Sequence, residues 1–145
     1  MKALIQRVKK ASVTIDDNLY SSIGAGLLVF LGVEKGDEQI NADKLAEKLV
    51  NLRIFEDKNE KMNLSLKDVK GEMLIVSQFT LCGDCKKGTR PSFDKSAPPD
   101  IANELYEYFI SKIKTSGIFV QTGQFGAMME VELINDGPVT FMVEK

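Results

Sequence analysis

An uninterrupted apolar run stands near the middle of the chain, in Glu72-Met73-Leu74-Ile75-Val76-Ser77-Gln78-Phe79-Thr80-Leu81. Its core, 73–76, follows shortly after a glycine and contains no polar side chain. Consecutive apolar residues of this kind are typical of a strand that is buried on both faces. The run therefore predicts a central strand around which the other elements pack.

Polar side chains gather where this strand ends. Ser77, Gln78 and Thr80 follow the apolar run directly. A buried polar group without a partner costs about 1–3 kcal/mol, so these groups must find partners or face a cavity. A strand end that opens into a pocket is a common place for chemistry. Ser77 and Thr80 could equally satisfy nearby backbone groups, and the segment alone leaves both interpretations open.

Length and charge limit the classes of partner. The chain has 145 residues, which predicts a single domain, 1–145, with a core that needs no disulfide or metal. Lysine and arginine number 19 against 21 acidic residues, which gives a net charge of −2. No overall basic field is available to hold a nucleic-acid backbone. We therefore expect no DNA partner, and any contact with RNA must be local.

The cysteine content and the start of the chain predict a cytoplasmic protein. Only two cysteines occur, Cys82 and Cys85, which fits a reducing compartment. Gln6 and Arg7 interrupt the first apolar residues too early for a signal peptide. No apolar run approaches the length of a membrane span, so we expect no membrane partner.

The absence of histidine limits the available chemistry. It excludes every Ser-His-Asp or Cys-His catalytic arrangement and every histidine-ligated metal site. Any catalysis must use carboxylates, hydroxyl groups, lysine, backbone N–H groups or the substrate itself.

Apolar periodicity predicts the order strands, helix, strand, helix, strands. Besides the central strand, strands are predicted at 3–8, 12–15, 19–23, 27–33, 119–121, 127–134 and 139–143. The first three of these should form an antiparallel meander. Gly24 and Gly26 lack the lysine of a phosphate-binding loop and are predicted to form a tight turn.

Two helices are predicted, at 37–51 and from Pro98 to about Thr115. Asp37 or Asn41 is the expected N-cap of the first helix. The expected buried stripe of the first helix is Ala42, Leu45, Ala46, Leu49 and Val50. The expected buried stripe of the second helix is Ile101, Leu105, Tyr108, Phe109 and Ile113.

A long polar loop, 82–93, follows the central strand. Loops of this length in a compact domain are usually functional, although a solvated loop is the simpler alternative. Lys86, Lys87 and Arg90 form its basic edge and are the best local candidates to meet a phosphate. Cys82 and Cys85 have the spacing of a redox pair or half a zinc site, but no other cysteine or histidine could complete that zinc site.

The segment Asn135-Asp136-Gly137-Pro138 joins the last two predicted strands. Asp-Gly favours a hairpin turn, Pro138 removes a ladder donor, and Gly137 permits close approach to the backbone. The segment should therefore expose carbonyl oxygens without competing N–H groups. A simple edge turn is the alternative.

Two of these segments together resemble the signature motifs of the D-aminoacyl-tRNA deacylase family. They are Ser77-Gln78-Phe79-Thr80-Leu81 and Asn135-Asp136-Gly137-Pro138-Val139-Thr140. Further similar segments cover the whole chain, at 6–8, 26–29, 52–55, 61–66, 87–93 and 122–127. Cys82 departs from the pattern, because many members have an aromatic residue there.

The resemblance implies an α/β protein with mixed, largely antiparallel sheets, a three-layer β/β/α fold and a homodimer. It implies that Gly137 and Pro138, joined by a cis peptide, enter the active site of the partner subunit and reject L-aminoacyl substrates. It also implies that Arg7 helps to fix this turn.

The resemblance also implies the reaction and the residues that serve it. The substrate would be the 3′ end of D-aminoacyl-tRNA, with glycyl-tRNA as a further candidate for the same ester hydrolysis. The expected active-site residues are Ser77, Gln78, Phe79 and Thr80, with Phe125 and Met129 holding the terminal adenine. No metal or cofactor is expected, since the ester is already activated and backbone N–H groups near Phe79 and Thr80 can stabilise an oxyanion.

Two other functions stay open at the level of sequence. A non-catalytic module could bind the RNA end without releasing the amino acid. A redox or metal-binding dimer would instead depend on Cys82 and Cys85.

Overall fold

The computed structural model describes residues 1–145 and contains eight strands, two α-helices and one short 3-10 helix. The strands are β1 (Lys2–Ile15), β2 (Asn18–Ile23), β3 (Gly26–Gly32), β4 (Phe55–Glu56), β5 (Met62–Leu64), β6 (Glu72–Ser77), β7 (Phe119–Thr122) and β8 (Glu130–Glu144). The helices are α1 (Gln39–Asn51), the 3-10 helix (Phe79–Cys82) and α2 (Pro99–Thr115).

Strand β6 lies inside the main sheet, as predicted. The strand order is β2-β1-β3-β6-β7, and β8 pairs with the other edge of β1. The β3–β6 and β6–β7 pairs are parallel, and every pair that involves β1 is antiparallel. Met73, Leu74, Ile75 and Val76 are all at most 2% exposed. Their burial confirms that β6 is covered on both faces.

Successive side chains of β6 enter two different cores, because strand side chains alternate between faces. Met73 and Ile75 join the larger core, which packs against both helices. Leu74 and Val76 join a smaller core, against which Val131 and other side chains of β8 pack. The helices, the central sheet and the β8 side thus form three layers. The prediction of a mixed, largely antiparallel, three-layer α/β fold is confirmed.

Both helices occupy the predicted segments, with corrections to their details. Helix α1 buries all the predicted residues, but its N-cap is Glu38, whose backbone N–H donates to Oδ1 of Asn41 at 2.9 Å. Asp37 instead accepts the backbone N–H of Glu34 at 2.6 Å. Neither helix combines the length and the apolar character that crossing a membrane requires.

The predicted buried stripe of α2 is partly wrong. Ile101 is 46% exposed, and the Tyr108 hydroxyl donates to Asp43 at the helix–helix boundary. Ala102, Tyr106 and Ile110 are buried instead. The true stripe is rotated by about one residue from the predicted one, so that Tyr106 rather than Tyr108 faces the sheet.

Strands predicted as separate units at each end of the chain are continuous. Residues 3–8 and 12–15 belong to one strand, β1, and residues 130–144 belong to one strand, β8. The expected antiparallel pairing of 12–15 with 19–23 is confirmed by the β1–β2 pair. The meander has two strands and not three, because 3–8 and 12–15 form one strand. At the polar residues between the segments predicted as separate strands, the register of the β1–β8 pairing shifts. The chain does not reverse direction there.

Gly26 serves strand packing and not a turn. A Cβ at this position would lie 1.9 Å from the backbone oxygen of Glu72, its neighbour on β6. Only glycine permits this approach of β3 to β6, which corrects the turn assigned from the sequence.

Candidate active site

A cavity of about 650 Å³ opens at the carboxyl end of β6. Ser77, Gln78, Phe79 and Thr80 form one wall of it, as the sequence predicted. The remaining lining comes from β6, the residue after β3, the start of α2 with the residues before it, and the start of β8 with the segment before it. These residues are Val33, Val76, Ser96, Ala97, Pro99, Ala102, Phe125, Gly126, Ala127, Met128, Met129 and Val131. None of these lining residues has an ionisable side chain.

The turn from β6 into the 3-10 helix leaves two backbone donors at this wall. The backbone N–H of Gln78 still donates to the Leu31 oxygen of β3, at 2.8 Å. The first bond of the 3-10 helix runs from the Leu81 N–H to the Gln78 oxygen, at 3.2 Å. The N–H groups of Phe79 and Thr80 precede this bond and have no acceptor inside the helix. They are available to stabilise a negative charge in the cavity.

The polar side chains of this wall are few and uncharged. The Gln78 amide donates to the Thr80 hydroxyl, which fixes both groups relative to each other. The Phe79 ring is 55% exposed and packs against Phe93, with ring centroids 5.1 Å apart. Because no carboxylate, lysine or histidine lines the cavity, no side-chain base is placed to activate the Thr80 hydroxyl.

Phe125 and Met129 form the apolar wall opposite. The Phe125 ring lies 5.9 Å from the Tyr106 ring, measured between centroids. Met129 packs against the smaller core, and its Sδ would lie 2.7 Å from a Cβ at Gly123. This wall offers an aromatic face and a polarisable sulfur, both suited to a flat heterocyclic ring.

Tyr106 contacts both the end of β6 and Phe125, a role that the sequence did not predict. Its hydroxyl donates to the Ile75 oxygen of β6 at 2.8 Å and lies 3.4 Å from the Gly123 oxygen. Burial raises the pKa of this hydroxyl, so it remains a neutral donor. Tyr106 thereby ties the end of β6 to the segment that carries Phe125.

We expect Tyr106→Phe to lower the free energy of unfolding by about 1 kcal/mol, the usual value of one hydrogen bond. The loss of stability should stay this small because the Ile75 oxygen still accepts a hydrogen bond from the Gly123 backbone N–H, at 2.9 Å. Urea denaturation measures the change. Tyr20→Phe is the control, since the Tyr20 ring is 49% exposed and its hydroxyl makes no hydrogen bond. An equal effect of both substitutions would contradict this role of Tyr106.

The Asn135–Pro138 segment bulges out of the β1–β8 ladder. Asn135 pairs with Val8 and Thr140 pairs with Gln6, so residues 136–139 all lie opposite the single residue Arg7. The Gly137–Pro138 peptide is cis, and both residues are exposed. Both residues therefore lie outside the ladder, on the surface of the chain.

Arg7 and Asn135 hold the base of this bulge. Arg7 is 5% exposed, and its guanidinium donates to the Ile54 oxygen at 2.7 Å and to the Asp136 oxygen at 3.3 Å. The Asn135 amide donates to the backbone oxygens of Arg7 and Val139, at 2.9 and 3.1 Å. A planar guanidinium with several fixed donors is well suited to this task. Nothing in the local sequence marks Asn135 for this role.

The structure does not bring Gly137 and Pro138 into the cavity of their own chain. Neither residue lines the cavity that contains Thr80, Phe125 and Met129. The site residues predicted from the sequence therefore form two groups on one chain: the cavity, and the bulge held by Arg7.

The two cysteines do not form a reactive pair. Cys82 is buried and Cys85 is exposed, and both are free thiols. Burial raises the pKa of the Cys82 thiol, so it is neutral near pH 7. A redox pair needs an accessible thiol with a lowered pKa, which Cys82 does not provide.

Comparison with known proteins decides the family. Residues 4–144 match the family model described as D-Tyr-tRNA(Tyr) deacylase. The chain belongs to this family. Among relatives of the D-Tyr-tRNA(Tyr) deacylase family, the chain is 65% identical to the D-aminoacyl-tRNA deacylase of Geotalea daltonii, over 99% of the chain and 96% of the relative. It is 57% identical to the D-aminoacyl-tRNA deacylase of Thermosipho africanus, over 99% of the chain and 97% of the relative.

Solved structures agree with the fold. The chain is similar to one titled c-Myc DNA Unwinding Element Binding Protein, with a TM-score of 0.95, 39% identity and coverage of 100% of this chain and 99% of the other. It is also similar to a probable eukaryotic D-amino acid tRNA deacylase, with a TM-score of 0.84, 18% identity and coverage of 99% and 98%. Because the sequence identity is only 18%, this second similarity supports the fold alone.

Proposed function

We propose that the protein hydrolyses the ester bond of D-aminoacyl-tRNA and releases the free D-amino acid and tRNA. The observation that carries this proposal is the cavity at the end of β6, which combines two free backbone donors with an apolar wall and has no ionisable side chain. Such a site suits an activated ester, whose hydrolysis needs charge stabilisation more than a strong base. Membership of the deacylase family and the names of its relatives support the same reaction.

The terminal adenine of the tRNA would lie against Phe125 and Met129. This places the ester near the Phe79 and Thr80 N–H groups. Water adds to the carbonyl carbon and gives up a proton, and the carbonyl oxygen becomes an oxyanion that the two N–H groups stabilise. The ester C–O bond then breaks, and the proton from the water goes to the leaving ribose oxygen. The vicinal ribose hydroxyl of the substrate would help to orient the attacking water.

The Gly137–Pro138 bulge would supply the stereochemical filter in a homodimer. Within one chain these residues are exposed and do not line the cavity, so they are free to enter the cavity of a partner. Strand β8 pairs only with β1 and carries exposed Ile134, Phe141 and Met142, which favours a partner on this side. Arg7 would be a positioning residue for the bulge.

The proposed function is tested by mixing the protein with D-tyrosyl-tRNA and following loss of the ester, with and without a chelator. We expect hydrolysis in both conditions. A protein that binds the tRNA and leaves the ester intact would instead be an RNA-end-binding module. Hydrolysis that stops when the chelator is added would contradict the metal-independent chemistry proposed for the cavity.

We expect Thr80→Ala to retain measurable activity, with kcat reduced by less than about a hundredfold. Loss of an obligatory nucleophile costs about a millionfold in a well-studied hydrolase, because nothing else can form the covalent intermediate. Here the cavity offers no base for Thr80, and the backbone donors remain. Steady-state hydrolysis of D-tyrosyl-tRNA measures kcat, with Thr80→Ser as the control. Activity below detection with intact tRNA binding would show that the Thr80 hydroxyl is obligatory.

A further inference from the structure

The loop after the 3-10 helix folds into a hairpin. Asp84 and Ser92 exchange backbone hydrogen bonds, at 2.7 Å from the Asp84 N–H and 3.0 Å from the Ser92 N–H. The Asp84 carboxylate also accepts the Lys86 N–H at 2.9 Å. Gly88 at the tip has a φ of +67°, which suits glycine. We call residues 84–92 the cationic hairpin.

The cations of this hairpin are not neutralised by the protein. Lys86, Lys87 and Arg90 are all exposed, and none of them takes part in an ion pair. Some cations elsewhere are paired, such as Lys10 with Glu132 at 3.3 Å. Asp84 is the one acidic residue of the hairpin, and its carboxylate is engaged by the backbone of Lys86. The hairpin is therefore a local positive patch on a chain of net charge −2.

The base of the hairpin is attached to the wall of the cavity. The Phe93 ring packs on Phe79, and the Ser96 hydroxyl lies 3.5 Å from the Phe79 oxygen. A Cβ at Gly83 would lie 3.0 Å from the Phe93 ring, so the chain also packs closely on the other side of the hairpin base. Arg90 is three residues from Phe93, so its Cα lies within about 11 Å of the Phe93 Cα. The base of the hairpin thus lies beside the cavity wall, and Arg90 lies close to that base.

We propose that the cationic hairpin binds backbone phosphates of the acceptor stem of the substrate tRNA. The proposal rests on the proposed function, which places the single-stranded 3′ end of the tRNA in the cavity. The phosphates of the adjoining nucleotides must then leave the cavity past its rim, where the hairpin lies. Lysine and arginine that contact phosphates bind without regard to base sequence and release counterions. This explains how an acidic protein holds an RNA through a small basic surface.

The test compares two triple variants of equal charge change. Lys86→Ala, Lys87→Ala and Arg90→Ala together remove the hairpin cations. Lys44→Ala, Lys48→Ala and Lys114→Ala together are the control, because these helix lysines are exposed, lack ion pairs and do not line the cavity. The Kd of uncharged tRNA is measured for both variants across salt concentrations. Hydrolysis of D-tyrosyl-tRNA and of D-tyrosyl-adenosine, which has no phosphates, is measured as well.

We expect the hairpin variant to bind tRNA at least about tenfold more weakly at low salt, with a salt slope reduced by about two to three. The KM for D-tyrosyl-tRNA should rise with little change in kcat. The two triple variants should hydrolyse D-tyrosyl-adenosine equally. Equal tRNA binding by the two triple variants would overturn the proposal, as would a loss that is just as large on D-tyrosyl-adenosine. If the unmodified protein does not hydrolyse D-tyrosyl-tRNA, the proposed function is wrong, and the Kd of uncharged tRNA still decides the hairpin.

Discussion

D-Tyrosyl-tRNA should lose its amino acid at least about a hundredfold faster than L-tyrosyl-tRNA, a difference of about 2.8 kcal/mol in activation free energy. The selectivity is expected from the carbonyl oxygens of Gly137 and Pro138, two exposed residues of the bulge. In the proposed dimer these oxygens converge on the α-carbon of the substrate and accept hydrogen bonds from its amino group.

The expected mechanism is rejection by steric clash. An L-residue with the same ester and amino positions would direct its side chain into the two carbonyl oxygens. A D-residue would direct its side chain outward. Selection by exclusion does not depend on which side chain is present, so several D-aminoacyl-tRNAs should be accepted. Glycine has no side chain to clash, and glycyl-tRNA should therefore be hydrolysed to some extent.

The rate of deacylation is measured in parallel for four substrates: D-tyrosyl-, D-aspartyl-, L-tyrosyl- and glycyl-tRNA. Spontaneous hydrolysis of each ester in buffer is the control, because aminoacyl esters differ in intrinsic stability. The two D-substrates should react at similar rates. Comparable hydrolysis of the L- and D-tyrosyl esters would refute this account of Gly137 and Pro138.

The central strand and the polar wall of the cavity could be predicted because their signals are local. Met73 to Val76 are consecutive and apolar, which allows few environments other than a strand covered on both faces. Ser77 to Thr80 follow directly, so their position at the strand end is set by chain continuity. The resemblance of two short motifs to a known family added Phe125, Met129 and Arg7, which no periodicity would have selected.

The other parts of the site depend on contacts between distant segments. Val33, Ala97 and Val131 meet at the cavity, and nothing in their local sequence marks them as neighbours. Tyr106 and Tyr108 are both aromatic residues of α2, and a small rotation of the helix decides which one reaches β6. Such rotations are set by packing against the sheet, which the sequence pattern determines only to within about one residue.

The bulge in β8 is a second feature that depends on distant contacts and could not be predicted from the local sequence. Asp136-Gly137 has the composition of a hairpin turn, and the local sequence favours a reversal of the chain. The structure instead keeps β8 paired with β1 on both sides of the bulge, because the Asn135 amide and the Arg7 guanidinium close its base. These contacts join residues that are more than a hundred positions apart in the chain.

The proposed exchange of bulges between subunits predicts that two inactive variants should restore activity when mixed. Ala127→Trp would fill the cavity, because Ala127 lines it. Gly137→Val would displace the bulge, because a Cβ at Gly137 would lie 2.7 Å from Cγ2 of Val139 and the φ of +123° disfavours other residues. Each variant alone should hydrolyse D-tyrosyl-tRNA at a few per cent of the normal rate or less.

In a mixed dimer, one site combines the normal cavity of one subunit with the normal bulge of the other. Equal amounts of the two variants, left to exchange subunits, should therefore recover about a quarter of the normal sites, since half of the dimers are mixed and each has one intact site. Activity is followed over time after mixing, and size-exclusion chromatography of each variant checks that it remains folded and dimeric. If the sites were built within single chains, no combination of these variants would contain an intact site, and mixing would restore nothing. A stable monomer with full activity would likewise rule out a site shared between subunits.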